Sequence, residues 1–231
     1  MKQLLLDIQP APSPSLQNFV AGQNHEAIAS ISALLNGFTI QDSKLNSLAV
    51  QDSKLNSFTL QDSKLNSFEL PNFIYLWGAS GSGKTHLLQA AKAHGATVAD
   101  DVHLLNDEAQ IALFNQFNQL KDAGNILITA GLHAPTQMGL RDDLATRLAW
   151  GLVYQLQPLS DAEKAQALKN HAAERGMKLP DEVVDYCLRH LRRDLPTLMA
   201  TLDALDEWSL TTKKPVTVPM LKKLLQLDLN L

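Results

Sequence analysis

Apolar positions along the chain keep three different rhythms. Over 24–36 they recur at helical spacing, with Ile28, Ile31, Leu34 and Leu35 on one face and Asn24 placed to cap the start. Between 73 and 156 short continuous apolar runs alternate with helix-period stretches. The runs at 73–77, 96–99, 125–129 and 152–156 read as buried strands. Helices are predicted at 84–94, 107–123 and 139–149, the second with Ile111, Phe114, Phe117 and Leu120 inward and Gly124 as its stop. Single strands alternating with helices predict an α/β domain with a parallel sheet. From Pro158 onward only helical patterns remain. Ser160 with Glu163 spells a capping box, and Gly176 closes that helix. Further helices are expected at 181–192, 196–211 and 219–228, the last two with proline near their starts.

The remaining sequence follows none of these rhythms. Residues 1–22 read as an extended tail, because Pro10, Pro12 and Pro14 disfavour helix. The apolar peptide at 3–8 suits either a first strand docked on the body or a short linear motif that enters a partner's groove. Gln-Asp-Ser-Lys-Leu-Asn-Ser then occurs at 41–47, 51–57 and 61–67. A period of ten keeps equivalent residues on one face of a strand and does not suit a helix. Three decapeptides are too short for a solenoid core. The expectation is a surface insertion at 38–70, either short strands joined by Asp-Ser-Lys turns or a loop with little fixed structure. The predicted division is 1–22 tail and linker, 23–157 α/β domain, and 158–231 helical lid.

Composition narrows the functional classes. The 231 residues are 45% hydrophobic and 19% charged, enough for a substantial core. A formal net charge of -4 offers no electrostatic case for direct, sequence-specific DNA binding. A single cysteine, Cys187, excludes an intramolecular disulfide and fits a reducing cytoplasm; its spacing with Val184 and Leu188 makes it a core filler. No apolar run approaches a membrane span, so no membrane partner is expected. His86, His94 and His103 lack metal-ligand spacing.

The chemistry concentrates at 78–85, Gly-Ala-Ser-Gly-Ser-Gly-Lys-Thr, which fits the phosphate-binding loop of P-loop NTPases. Glycines let successive N–H groups turn inward around a phosphate, and a following helix adds its positive end. Gly78, Ser80, Gly81, Ser82, Gly83, Lys84 and Thr85 are the candidate cofactor-binding residues, for ADP or ATP. Lys84 would reach the β- and γ-phosphates and the Thr85 hydroxyl would ligate Mg²⁺. Asp100 and Asp101 follow the strand at 96–99, where an acid holds the metal; Asp100 is the metal candidate and Asp101 the candidate for positioning water. From spacing alone, Arg141 and Arg147 read as solvated arginines.

The segments 75–88, 100–102, 144–152 and 156–161 resemble the AAA+ module of the DnaA replication-initiator family. The resemblance covers about 1–36 and 72–231, and the chain ends where DnaA's DNA-binding domain would begin. Together with Gln3-Leu4-Leu5-Leu6, this resembles the regulatory inactivators within that family. The resemblance implies that Gln3, Leu4, Leu6 and Ile8 anchor the DNA polymerase III sliding clamp (beta subunit). It also implies that Arg147 is an arginine finger acting in trans on DnaA-bound ATP, so that initiation is negatively regulated. Homo-oligomerisation is left open. Relatives carry a strand and helix before the Asp100 strand, a polar residue near Gly131, and a sensor arginine where Pro196 stands here. Their loss predicts nucleotide binding with weak or no intrinsic ATPase. The competing reading is an autonomous AAA+ ATPase such as a helicase loader or transposition helper. A small-molecule P-loop kinase is disfavoured by the helical region after Pro158.

Overall fold

The computed structural model describes residues 13–48, 71–192 and 194–228. Gln3, Leu4, Leu6, Ile8 and the second and third copies of the repeat lie outside these residues. The chain divides into two compact units, Pro14–Pro158 and Leu159–Leu231.

The first unit is built on β1 (Phe73–Trp77), β2 (Thr97–Ala99), β3 (Leu127–Gly131) and β4 (Leu152–Gln155). All pair in parallel, in the order β2-β3-β1-β4. Strand β1 is central, and its side chains alternate between two cores. Ile74 and Leu76 meet Ile31 and Leu35 of α1 (His25–Leu48) and Leu87 and Leu88 of α2 (Lys84–Ala93). On the other face Tyr75 packs with Leu113 of α3 (Asp107–Asp122) and with Leu144 and Leu148 of α4 (Asp142–Leu148). Between α2 and β2 the chain has only three residues, so no strand or helix intervenes, and among the described residues β2 forms the sheet edge.

Two expectations change. The buried residues of α3 are Gln110, Leu113 and Phe117, while Ile111 is 42% exposed and Phe114 half-buried. The helix carries apolar residues on two adjacent faces, and contact with Tyr75 and Leu144 selects the one through Leu113. The first repeat copy, 41–47, is neither strand nor loop but the end of α1. Ile31 and Leu35 anchor that helix, each worth about 1.5–3 kcal/mol when buried. Once nucleated, a helix adds one hydrogen bond for each residue fixed. No proline interrupts it before 48.

The second unit holds α5 (Asp161–Glu174), α6 (Asp181–His190), α7 (Leu195–Thr212) and α8 (Val218–Asp228). The capping box is formed: the Glu163 amide donates to Ser160 Oγ and the Ser160 amide to Glu163 Oε2. Val183, Val184, Cys187 and Leu188 form the buried stripe of α6 against Leu168, Leu198, Leu202 and Leu221. Burial pushes the Cys187 thiol up to about 11. Asp194 caps α7 by accepting from the Thr197 amide at 3.0 Å, which leaves Pro196 in a first turn where its missing N–H costs nothing. Among the described residues no helix is long and apolar enough to cross a membrane.

Candidate functional site

The phosphate loop leaves the carboxyl end of β1 and becomes the first turn of α2. Gly78, Gly81 and Gly83 adopt φ of +151°, +79° and +93°. These values are rarely open to residues with a Cβ, and they turn the backbone inward. A Cβ on Gly78 would lie 2.3 Å from the Leu156 carbonyl oxygen, so the loop is also pressed against the end of β4. Gly83 stands at the N-cap of α2 and gives no side-chain cap. The free N–H groups there form an anion site with the helix dipole behind it.

The side chains fit the same ligand. Lys84 is buried, and its Nζ donates to the Gly78 carbonyl at 2.7 Å and the Ala79 carbonyl at 2.9 Å. Burial lowers its pKa from the ordinary lysine value, and Asp100 and Asp101 oppose that shift. Ser82 Oγ is buried without a hydrogen-bond partner, an orphaned hydroxyl of the kind an anion would satisfy. Thr85 Oγ1 donates to Asp100 Oδ2 at 2.6 Å, which joins the two proposed magnesium ligands. No cluster of three or more His, Cys, Asp or Glu among the described residues could hold a metal alone.

Asp101 is held differently. It sits in the left-handed region at φ 47°, and its amide donates to Asp100 Oδ1 at 2.9 Å. Its carboxylate is 60% exposed, with His103 Nδ1 4.0 Å away. Asp100 is therefore turned into the site and Asp101 toward solvent. At the end of β3, Thr129 and Gly131 are buried. A Cβ on Gly131 would fall 2.2 Å from Tyr75 Oη, so the Tyr75 phenol occupies the space of a side chain there.

The structure also reveals residues that spacing gave no reason to select. Residues 14–22 form a strap over the loop. The Phe19 ring lies against Gly83, where a Cβ would approach Phe19 Cε2 to 2.6 Å. Phe19 meets the His86 ring edge-on at 5.3 Å, and His86 Nε2 bonds the Ser15 carbonyl at 3.0 Å. Buried Asn24 holds the far end, donating from Nδ2 to the Gln157 carbonyl at 2.9 Å and accepting from the Gln157 amide at 2.7 Å. The available signal was a histidine directly after Thr85, on the first turn of α2.

Arg147 lies at the other end of the sheet. It occupies the last turn of α4, and β4 then pairs Leu152 with Ile74 near the start of β1. The phosphate loop departs after Trp77, four residues along β1 from Phe73, or about 13 Å. The guanidinium Cζ stands 5.7 Å from the Phe114 ring centroid and 5.9 Å from that of Phe117. Trp150 beside it is 52% exposed, with Lys121 Nζ 4.1 Å from its ring. Arg141 instead makes a two-point pair with Asp143. In the helical unit, Arg192 is 3.6 Å from Asp194 and 87% exposed.

Comparison with known proteins agrees with this architecture. Residues 161–225 match the Hda lid domain. The fold is similar to domain III of the replication initiation protein DnaA from Thermotoga maritima, with TM-score 0.63 and 20% identity over 94% of this chain and 98% of that one. It is also similar to the replication initiator DnaA bound to AMPPCP and single-stranded DNA, with TM-score 0.59 and 22% identity over 89% and 69%. For AMPPCP-bound DnaA from Aquifex aeolicus the TM-score is 0.58, with 22% identity over 86% and 66%. The chain thus joins a parallel α/β AAA+ fold, similar to that of the DnaA structures, to a helical segment that matches the Hda lid domain.

Proposed function

We infer that this protein regulates a DnaA-type initiator by presenting Arg147 to the initiator's bound ATP. The observation that carries this reading is the position of Arg147. It projects from the end of the sheet opposite the protein's own phosphate loop, half-buried on the Phe114 and Phe117 rings, and it makes no ion pair among the described residues. An arginine so placed is unsuited to its own nucleotide and suited to another subunit's, where it would stabilise charge on the transferring phosphoryl group. The match to the Hda lid domain supports the initiator as that partner.

The chain's own loop would hold ADP or ATP. The N–H groups at 81–85 would bind the phosphates, Lys84 would leave its carbonyl partners to neutralise them, and Ser82 would gain a partner. Thr85 and Asp100 would hold Mg²⁺, whose chemistry is charge neutralisation between phosphate oxygens. Asp101 would orient water, but its outward carboxylate, Gly131 and Pro196 together favour slow or no turnover of the protein's own nucleotide. Residues 1–22 would act as the tail, with Gln3, Leu4, Leu6 and Ile8 anchoring the sliding clamp. Residues 23–157 would carry the nucleotide and 158–231 would form the lid. A cytoplasmic setting follows from that role.

The test is hydrolysis of DnaA-bound ATP in the presence of clamp loaded on DNA. Wild type should accelerate it, and Arg147→Ala should abolish the acceleration while ADP titration is unchanged. Equal acceleration by the variant overturns the finger assignment. Deletion of residues 1–8 should remove clamp binding with thermal unfolding unchanged. Brisk ATP turnover by the protein alone would favour the autonomous ATPase.

A further inference from the structure

We propose that residues 14–22 form a nucleotide-linked strap, so that filling the phosphate loop and docking the strap stabilise each other. The inference rests on the reading that residues 78–85 bind a nucleotide. Two contacts within the segment, and a third just beyond it at the start of α1, meet the loop or its immediate supports. At one end the Ser15 carbonyl bonds His86 Nε2, one residue beyond Thr85. In the middle the Phe19 ring fills the space beside Gly83 that a side chain would take. At the other end Asn24 exchanges two hydrogen bonds with Gln157, next to the Leu156 carbonyl against which Gly78 is pressed.

The strap is itself ordered for this. Ser15 and Asn18 close a local turn, the Ser15 amide donating to Asn18 Oδ1 at 2.8 Å and the Asn18 amide to Ser15 Oγ at 3.2 Å. That turn leaves Leu16 and Phe19 packed against the core beneath α1 and α2. Gly83 is the residue whose left-handed backbone presents the start of α2 to an anion. A ring fixed against it restricts the loop to that presentation. An anion bound to the same N–H groups fixes the surface on which the ring rests. Each event therefore lowers the ordering cost of the other, and the coupling acts equally in both directions.

The experiment compares full-length wild type with Phe19→Leu and His86→Ala. Mg-ADP affinity is read by calorimetric titration, and hydrogen exchange of the 14–22 segment is read with and without saturating Mg-ADP. In wild type, ADP should slow exchange of the strap amides at least about fivefold, and each variant should bind ADP about 5- to 20-fold more weakly. Variant affinities within twofold of wild type, with strap exchange indifferent to ADP, overturn the coupling alone. Weaker binding without any strap protection also overturns it, since that is lost loop packing only. If a variant does not fold, the wild-type exchange measurement decides. Absence of ADP binding by wild type removes the phosphate-site reading and the coupling with it.

Discussion

Replacing Gly131 by alanine tests whether the Tyr75 phenol has taken over the end of β3. The new Cβ would stand 2.2 Å from Tyr75 Oη, 3.0 Å from Met138 Sδ and 3.1 Å from Val102 Cγ2. The first distance is shorter than contact by about 1 Å. Tyr75 is fully buried and donates to the His133 carbonyl at 2.9 Å, so it cannot retreat without breaking that bond. Overpacking costs about 1–3 kcal/mol and the hydrogen bond about 0.5–1.5 kcal/mol, so Gly131→Ala should destabilise by about 2–4 kcal/mol. Tyr75→Phe alone should cost about 1 kcal/mol, because His133 is exposed and water can replace the phenol. The double variant removes the clashing oxygen and should cost little more than Tyr75→Phe, a coupling of at least about 1 kcal/mol. Urea unfolding at constant slope measures all three. Gly131→Ala within about 0.5 kcal/mol of wild type, or a strictly additive double variant, refutes the reasoning.

Other consequences are as direct. Lys84→Ala should weaken Mg-ADP binding about 10- to 100-fold in a calorimetric titration, since hydrogen bonds to charged groups are worth about 1.5–3 kcal/mol. Asn24→Ala removes two hydrogen bonds to the exposed Gln157 backbone and should lower stability by about 1–3 kcal/mol in the same urea assay. Ser160→Ala removes the N-cap of α5 and should cost about 1 kcal/mol, read as a loss of thermal stability. Cys187 is buried with its thiol pushed up to about 11, so a thiolate-specific reagent at pH 8 should label it only after denaturation.

The sheet was legible where one strand's pattern was unambiguous. The run at 73–77 has no competing phase and forms β1 at those residues. The run at 125–129 forms β3 two residues later, because the Asn125 amide closes the end of α3 on the Leu120 carbonyl. On α3, Ile111 and Phe114 compete with Leu113 and Phe117 for the inner face, and only the packed neighbours decide. The phosphate loop was legible because its chemistry is local: glycine, lysine and threonine act within eight residues. The strap was not, because Phe19 meets Gly83 across 64 residues of sequence and no periodicity records such a contact. The helical first repeat was missed for a related reason. A period of ten argues for a strand in isolation, whereas the first copy continues a helix begun by buried residues before it.

The short connection between α2 and β2 bears on the order in which the proposed nucleotide site would open. Strand β1, which feeds the phosphate loop, is paired along both sides, with β3 and with β4. Strand β2, which delivers Asp100, is three residues long and among the described residues is paired on one side only, through Thr97, Val98 and Ala99. Local opening follows such differences in pairing, so β2 should fray at a lower free energy than β1. Lys84 and Thr85 therefore follow a more firmly paired strand than Asp100 does, and the proposed site spans parts of the sheet with unequal lifetimes.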